Sequence, residues 1–248
     1  MKKRGQIRNI LGVHFLVGDV DTLLDAVLKG GQLVAPSGPG MADDLDAATY
    51  AAALRSAEVA ITDSGFMVLC WWLLKGEWLK RVSGLELMER LLERESARLS
   101  RSGFWVMPRD EDQAALMSYL KCREITCRPE QCYVAPLYER GNPTDVVLVE
   151  QLEAAHPEVI VVCVGGGVQE SLGAYLKSKL SYRPAIICIG AAIAFLTGTQ
   201  VEIPKWADRL FLGWLFRLVS SPKSYGDRYY KAFRLIWKIH RFEANSGD

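Results

Sequence analysis

Short apolar runs rich in β-branched residues alternate with longer amphipathic stretches along most of this chain. That alternation restricts the fold more than any other feature. The strand-like runs are Ile10–Phe15, Gln32–Ala35, Val59–Thr62, Phe104–Met107, Cys132–Ala135, Val159–Val164 and Ala185–Ile189. Between them, helical periodicity covers Val20–Leu28, Leu45–Ser56, Phe66–Leu74, Gly84–Arg101, Glu111–Lys121, Val146–Ala155 and Gln169–Leu180, with at least two more helices expected after Pro204. Strands of about five residues separated by helices of ten or more predict an α/β fold, a mostly parallel sheet wrapped by helices.

A chain of 248 residues can bury a substantial core as one large domain or two small lobes. A polar turn cluster at Tyr138-Glu139-Arg140-Gly141-Asn142-Pro143 predicts a soft sub-lobe boundary near 138–143. The change at Pro204 is sharper, since an aromatic and basic helical region begins there. The division expected is therefore an α/β domain over 1–203 and a helical appendage over 204–248.

Charge follows the same division. Ile203 to Phe242 carries nine Lys/Arg against Asp208 and Asp227, a local +7 within a chain whose net charge is only +1. A basic tail on an acidic body points to a polyanionic partner: phosphate, a membrane surface or nucleic acid. Leu210, Phe211, Trp214, Leu215 and Leu218 fall at helical spacing, and Tyr225, Tyr229, Phe233, Ile236 and Trp237 continue it after Pro222. Aromatic and basic amphipathic helices suit a membrane interface carrying anionic lipid. A helix packed on the domain with its Lys/Arg face in water fits the same pattern. A nucleic-acid role would draw on the same charges but has no recognisable module here. The longest uninterrupted apolar run, Phe66 to Leu74, is far short of the roughly 20 residues that a membrane span requires, so no crossing is expected.

The six cysteines are thin for a disulfide scaffold of this length, and Cys70, Cys163 and Cys188 lie in apolar runs, which favours a reducing, cytoplasmic setting. Cys122, Cys127 and Cys132 recur every five residues without the close pairs of a zinc site, so free thiols and no metal are expected. His14, His156 and His240 are scattered and form no nucleophilic or metal-ligand grouping.

Three strand ends could carry chemistry. Val59-Ala60-Ile61-Thr62 runs into Asp63-Ser64-Gly65 ahead of an apolar helix, and Asp63 at that position reads either as a general base or as the cap of the following helix. The run to Val164 ends in Gly165-Gly166-Gly167, then Val168-Gln169-Glu170, a loop able to cradle a diphosphate with backbone N–H groups or simply a tight turn. It lacks the third glycine and the later acid of a dinucleotide fingerprint, and the Lys-Ser/Thr of a Walker loop, so a nicotinamide cofactor is not expected. Ala35-Pro36-Ser37-Gly38-Pro39-Gly40 is the third such loop, and Ser37 there could touch a ligand or merely turn the chain.

Together these segments resemble the WecG/TagA/CpsF glycosyltransferases, glycosyltransferase family 26. Leu54-Arg55-Ser56-Ala57-Glu58-Val59-Ala60-Ile61-Thr62-Asp63, Leu73-Leu74-Lys75-Gly76 and Arg81-Val82-Ser83-Gly84 follow the family's order, with the spacing from Asp63 to Arg81 kept. Val164 to Glu170 resembles its "GxGxPKQE", and Ile189-Gly190-Ala191-Ala192 to Gly198 its "GVGAAFDFLAG". Pro204-Lys205-Trp206, Gly213 to Leu218, Pro222 and Arg228-Tyr229 continue the likeness, which spans about residues 10 to 230.

The resemblance implies a Rossmann-like α/β domain with a helical C-terminal appendage. It implies an inverting, metal-independent glycosyltransferase of cell-surface polysaccharide synthesis, acting peripherally at the inner face of the cell membrane. Relatives move a sugar, often N-acetylmannosamine, from a UDP donor to a polyprenyl-diphosphate-linked saccharide. Carried over to this chain, Asp63 is the base; from their place at or beside the strand-end loops, Ser37, Arg81, Gly165, Gly166, Gln169 and Gly190 are expected to bind the donor. Arg217 and Arg228 hold the acceptor diphosphate. No cofactor is implied beyond the UDP-sugar co-substrate, and homo-oligomers are possible. The chain departs from the family at Ala35-Pro36-Ser37 (for Thr-Pro-Asn), at Asp63-Ser64-Gly65-Phe66 (for Asp-Gly-x-Gly), at Gly167-Val168 and at Ile193-Ala194. These changes bear on the donor, for which a UDP-hexose such as glucose is an alternative. A member of impaired activity would instead serve as a scaffold for lipid-linked intermediates.

Overall fold

The computed structural model describes residues 5–42, 44–139, 141–189, 192–198 and 234–244. Its strands are β1 (Gln6–Ile10), β2 (Val13–Val17), β3 (Gly31–Val34), β4 (Val59–Ala60), β5 (Gly103–Met107), β6 (Cys132–Val134), β7 (Val159–Val162) and β8 (Ala185–Cys188). They form one eight-stranded sheet in the order β1-β2-β4-β3-β8-β7-β5-β6. Only β1 runs antiparallel to its neighbour; every other pairing is parallel. The expected mostly parallel α/β architecture is therefore the observed one.

Register explains how both faces become core. Val59, Leu33, Ile187, Val161 and Trp105 are aligned partners across five strands, and all are buried on one face. One residue further along, Ala60, Val34, Cys188, Val162 and Val106 form the matching row on the opposite face. Apolar rows on both sides oblige helices to cover both, which is why these strands read as unbroken apolar runs.

For most connections the direction of the crossover decides which face the helix covers; the helix Gly65–Lys75 is the exception, lying on the Val34 face although its connection steps toward β6. α1 (Val20–Val27), α5 (Gly84–Arg94) and α7 (Asp110–Lys121) lie on connections stepping toward β6, and they bury Leu23, Leu24, Leu87, Leu91, Leu116 and Leu120 on the Leu33 face. α3 (Ala48–Ser56), α8 (Val146–Ala155) and α9 (Gln169–Lys179) lie on connections stepping back, and they bury Tyr50, Leu54, Leu148, Leu152, Leu172 and Leu176 on the Val34 face. A right-handed crossover rule yields this division, since reversing the direction of travel places the helix on the other side.

Several elements differ from the sequence expectation, among them a short helix at Gly38–Ala42 that begins inside the run 35–40 read as a loop, with Ser37 accepting from the Gly40 amide at its start. The run Ile10–Phe15 was expected as one strand, yet it straddles a two-residue hairpin in which Ile10 pairs with Val13. Leu11 (φ 54°) and Gly12 (φ 79°) both adopt the left-handed region that such a turn demands. Leucine rarely occupies that region, so the turn carries no sequence signal at its first position. The expected helix 84–101 divides at Glu95 (φ −112°, ψ 21°) into α5 and α6 (Ser96–Ser102). The Glu95 carboxylate is held there by Arg94 Nε at 2.9 Å and Arg98 Nε at 3.4 Å.

Three further helices lie before residue 199: α2 (Gly38–Ala42), α4 (Gly65–Lys75) and α10 (Ala192–Leu196). α4 and α2 share the Val34 face with α11 (Arg234–Ala244), the described portion of the appendage, which inserts Leu235 and Ile239 into the same core cluster. Lys238 of α11 also pairs with Asp46.

Candidate functional site

All the parallel strands end at one edge of the sheet, where open α/β folds place their ligands. Four of these ends lie side by side in the order β4, β3, β8, β7, bringing the loops after them together. The chain leaves β3 toward α2 on the Val34 face, whereas after β8 it reaches α10, whose Ala192 and Ile193 are buried on the Leu33 face. Neighbouring strands whose exits diverge in this way leave a crevice between them.

Asp63 follows β4 at this edge, and three hydrogen bonds tie Thr62 and Asp63 to residues 80–84, which lead into α5. The Thr62 hydroxyl donates to the Lys80 carbonyl at 2.6 Å, and Arg81 Nε donates to the Asp63 carbonyl at 2.6 Å. The amide of Gly84, first residue of α5, donates to Asp63 Oδ1 at 2.9 Å. Asp63 does not cap α4. Ser64 does that, accepting from the Met67 amide at 3.2 Å, while Ser83 caps α5 by accepting from the Glu86 amide at 3.1 Å. The carboxylate is thus turned to the start of α5, and Oδ2 has no hydrogen-bond partner among the described residues. Gly84 abuts Ile189 at the end of β8, so the carboxylate is held over the β3–β8 part of the edge.

The departures at residues 64 and 66 have a structural account. Phe66 is 7% exposed and joins the core cluster, and Ser64 is engaged as a cap, so neither side chain fills the space beside the carboxylate. Both instead press on the loop after β3, where a Cβ at Gly38 would lie 3.0 Å from Ser64 Oγ and 3.2 Å from Phe66 Cδ1. Ser37, in that loop, accepts from the Gly40 amide at 3.1 Å and so starts α2, with its own proton still available to donate.

The glycine loop occupies the other end of the crevice. Gly165 and Gly166 are exposed, have no positive φ, and a Cβ at either would meet nothing within 4 Å. Nothing in the protein's own packing calls for glycine there. Gly167 differs, because its φ of 90° favours glycine on conformational grounds. The Gly167 amide donates to Glu170 Oε2 at 2.8 Å, and Glu170 Oε1 accepts from Gln169 Nε2 at 3.1 Å. The 2% exposed Glu170 therefore shapes the bend from beneath, a role that its place beside Gln169 in the sequence does not disclose. The amides of Gly165 and Gly166 have no partner among the described residues.

Buried polar atoms without partners gather at the same place. Gln169 Oε1 and Ser171 Oγ, in the first turn of α9, have no hydrogen-bond partner among the described residues, nor has Gln32 Oε1 on β3. Gln32 Nε2 donates to the Glu170 carbonyl at 2.7 Å, linking β3 to the start of α9. Unpaired buried polar atoms cost on the order of 1–3 kcal/mol each, and a ligand supplying partners would offset that. Ser171 and Gln32 carry no motif, and only proximity to the loop identifies them.

The structure thus brings Asp63, Arg81 and Ser37 together at the β4–β3 ends and Gly165, Gly166 and Gln169 at the β7 end of the same edge. Gly190, Arg217 and Arg228 lie outside the described residues, as do the expected helices between 204 and 233. Two concavities of about 410 and 200 Å³ open at the opposite, amino-terminal edge. The first is lined mostly by ion-paired residues, among them Arg94, Glu95 and Arg98, and Arg98 and Arg183 in the wall of the second are ion-paired too. The amides and the carboxylate oxygen that have no partner among the described residues sit at the carboxyl edge, and ligand chemistry follows them.

A model of the glycosyl transferase WecG/TagA/CpsF family matches residues 8–246, nearly the whole chain. No curated protein matches the chain at a significant level. Among the described residues, no helix is long and apolar enough to cross a membrane.

The clasp at residues 62–84 leads to the first prediction. Thr62→Val keeps the shape and β propensity of a 1% exposed side chain but removes the bond to the Lys80 carbonyl. It should lower the unfolding free energy by about 1 kcal/mol in denaturant titration and speed hydrogen exchange at the Gly84 amide. Unchanged exchange there would mean that Thr62 does not help hold the start of α5.

Proposed function

The chain belongs to the WecG/TagA/CpsF glycosyltransferase family, and from that premise we propose that it transfers a sugar with inversion from a UDP-sugar to a polyprenyl-diphosphate-linked saccharide. Family membership makes it a glycosyltransferase of cell-surface polysaccharide synthesis. The donor, the acceptor and the residues named below are our reading.

One observation carries it: a carboxylate oxygen and two glycine-loop amides, all without a partner among the described residues, lie along the same sheet edge, on loops after β4 and β7, strands three spacings or about 14 Å apart. That span accommodates a sugar ring and a diphosphate between the two. Asp63 Oδ2 takes the proton from the acceptor hydroxyl as that oxygen attacks the anomeric carbon. The bond from that carbon to the UDP β-phosphate oxygen breaks on the opposite side, which inverts the centre. Negative charge accumulates on the departing diphosphate, where the Gly165 and Gly166 amides and the start of α9 supply fixed donors and a favourable dipole. The unpaired Gln169 Oε1 accepts from a donor N–H or O–H, and Arg81 and Ser37 line the β4–β3 side, Arg81 adding positive charge. Arg217 and Arg228 bind the acceptor diphosphate.

Exposed aromatic residues support a membrane-facing role beyond the tail itself. Trp72 (49% exposed) and Trp78 (51%) meet edge to face, with ring centroids 6.1 Å apart at the end of α4, and Leu73 beside them is 66% exposed. α11 packs on α4 and leaves Trp237 exposed beneath the Arg241 guanidinium. Such surfaces, apolar and basic together, partition into anionic lipid interfaces.

Three outcomes test this function. Asp63→Asn should retain UDP binding and the fold while turnover falls on the order of a hundredfold or more, and equal turnover would remove Asp63 from the chemistry. Gly166→Val enters open space in the free protein, so its thermal stability should stay unchanged while calorimetric UDP affinity drops at least about tenfold. Undiminished affinity would move the diphosphate elsewhere, and no UDP binding by the parent protein would favour a scaffold. Full-length Trp72→Ser/Trp78→Ser should lose about tenfold in co-sedimentation with phosphatidylglycerol vesicles, and full retention would clear that ledge of a membrane role.

A further inference from the structure

The three buried cysteines and the two partly exposed ones follow different chemistry. Cys70, Cys163 and Cys188 are buried, and loss of solvation pushes the first two thiols up to about 12 and Cys188 upward as well. Thiols of that kind do not exchange at neutral pH. Cys127 and Cys132 are each partly exposed, and their sulfur atoms stand 3.5 Å apart. Among the described residues no third metal-ligating side chain joins them.

The intervening turn is built to keep them adjacent. Pro129–Gln131 forms a single 3-10 turn, and the Cys132 amide donates to the Pro129 carbonyl. Gln131 braces that turn: its Oε1 accepts from the Arg128 amide at 3.0 Å, and its Nε2 donates to the Gly103 carbonyl at 2.9 Å. A sulfur–sulfur bond of about 2.05 Å would need the two atoms to approach by roughly 1.5 Å.

We propose that Cys127 and Cys132 form a thiol–disulfide exchange site that takes small organic disulfides of the glutathione class. The two sulfurs have distinct roles. The hydrogen bond between the two sulfurs, in which either can donate, lowers the Cys127 thiol, with the Arg128 charge adding to this against the cost of burial, and the same bond together with burial raises the Cys132 thiol. The Cys127 thiolate therefore attacks one sulfur of the disulfide RSSR, forming Cys127–S–S–R and releasing RS⁻. Cys132 then gives its proton to solvent and attacks Cys127 Sγ, closing the intramolecular disulfide and releasing a second RS⁻. Protonation of both leaving groups completes the balance: two protein thiols and RSSR become one protein disulfide and two RSH.

Location determines the consequence. Cys132 is the first residue of β6, paired with Trp105, at the end of the strand remote from the carboxyl edge. Oxidation fastens the turn to the outermost strand of the sheet and leaves Asp63 and the glycine loop untouched. The site is independent of the transferase reading.

The experiment exposes the native, full-length, reduced protein to glutathione disulfide and maps it by peptide mass after alkylation. Both cysteines fall in one tryptic peptide, because Pro129 blocks cleavage after Arg128. That peptide should lose two hydrogens while the other four cysteines remain alkylated, and added reduced glutathione should restore it. Cys132→Ser should trap glutathione on Cys127, at least about tenfold faster than Cys127→Ser traps it on Cys132. Preferential modification of the exposed Cys122 with the pair still reduced would overturn the proposal, as would equal trapping in the two variants.

Discussion

A hydrogen bond between a backbone amide and a side chain, Gly84 to Asp63, joins the organisation of the sheet to the chemistry of its edge. The segment between α4 and α5 has to carry the chain from one face of the sheet to the other. It does so by lying across the end of β4, pinned there through Thr62, Asp63 and Arg81. That clasp sets where α5 begins, and the start of α5 determines that Leu87, Met88 and Leu91 reach the Leu33 face. The same bond occupies one oxygen of the carboxylate and orients the other. Fold and function therefore share an anchor, and a change at residues 80–84 acts on both.

The opposite end of the crevice is organised differently. Glu170, buried under the glycine loop, draws the Gly167 amide inward, while Gly165 and Gly166 remain open. A buried carboxylate used to shape backbone is costly unless several donors satisfy it, and Gln169 and Gly167 contribute two. Gln169 and Ser171 nonetheless keep unpaired atoms in the first turn of α9. On the proposed reading, the protein leaves these groups and the loop amides incomplete so that a nucleotide diphosphate completes them.

Much of this was legible in residues alone. The strands β3, β5, β7 and β8 stand where apolar runs put them, because a strand buried on both faces has no room for polar alternation. Asp63 and the glycine loop were recognisable as strand-end groups for the same reason. What stayed hidden were features that depend on contacts distant in sequence. Leu11 takes a left-handed turn position that its own propensity opposes, and the pairing of β1 with β2 overrides it. Ser64, beside Asp63, could equally have been the ligand residue, and only the amide of Gly84 decides which of the two caps a helix and which is left half free.

The order of elements, the parallel character of the sheet and the family were determined by the sequence, since periodicity, strand-end residues and motif spacing are local or cumulative along the chain. Tertiary structure decided the rest: which strands are neighbours, which loops share an edge, and which polar atoms are left without partners. Those properties depend on register and crossover direction. A parallel sheet brings residues as far apart as Asp63 and Gly165 to a common edge only when the connections between them fold over its faces.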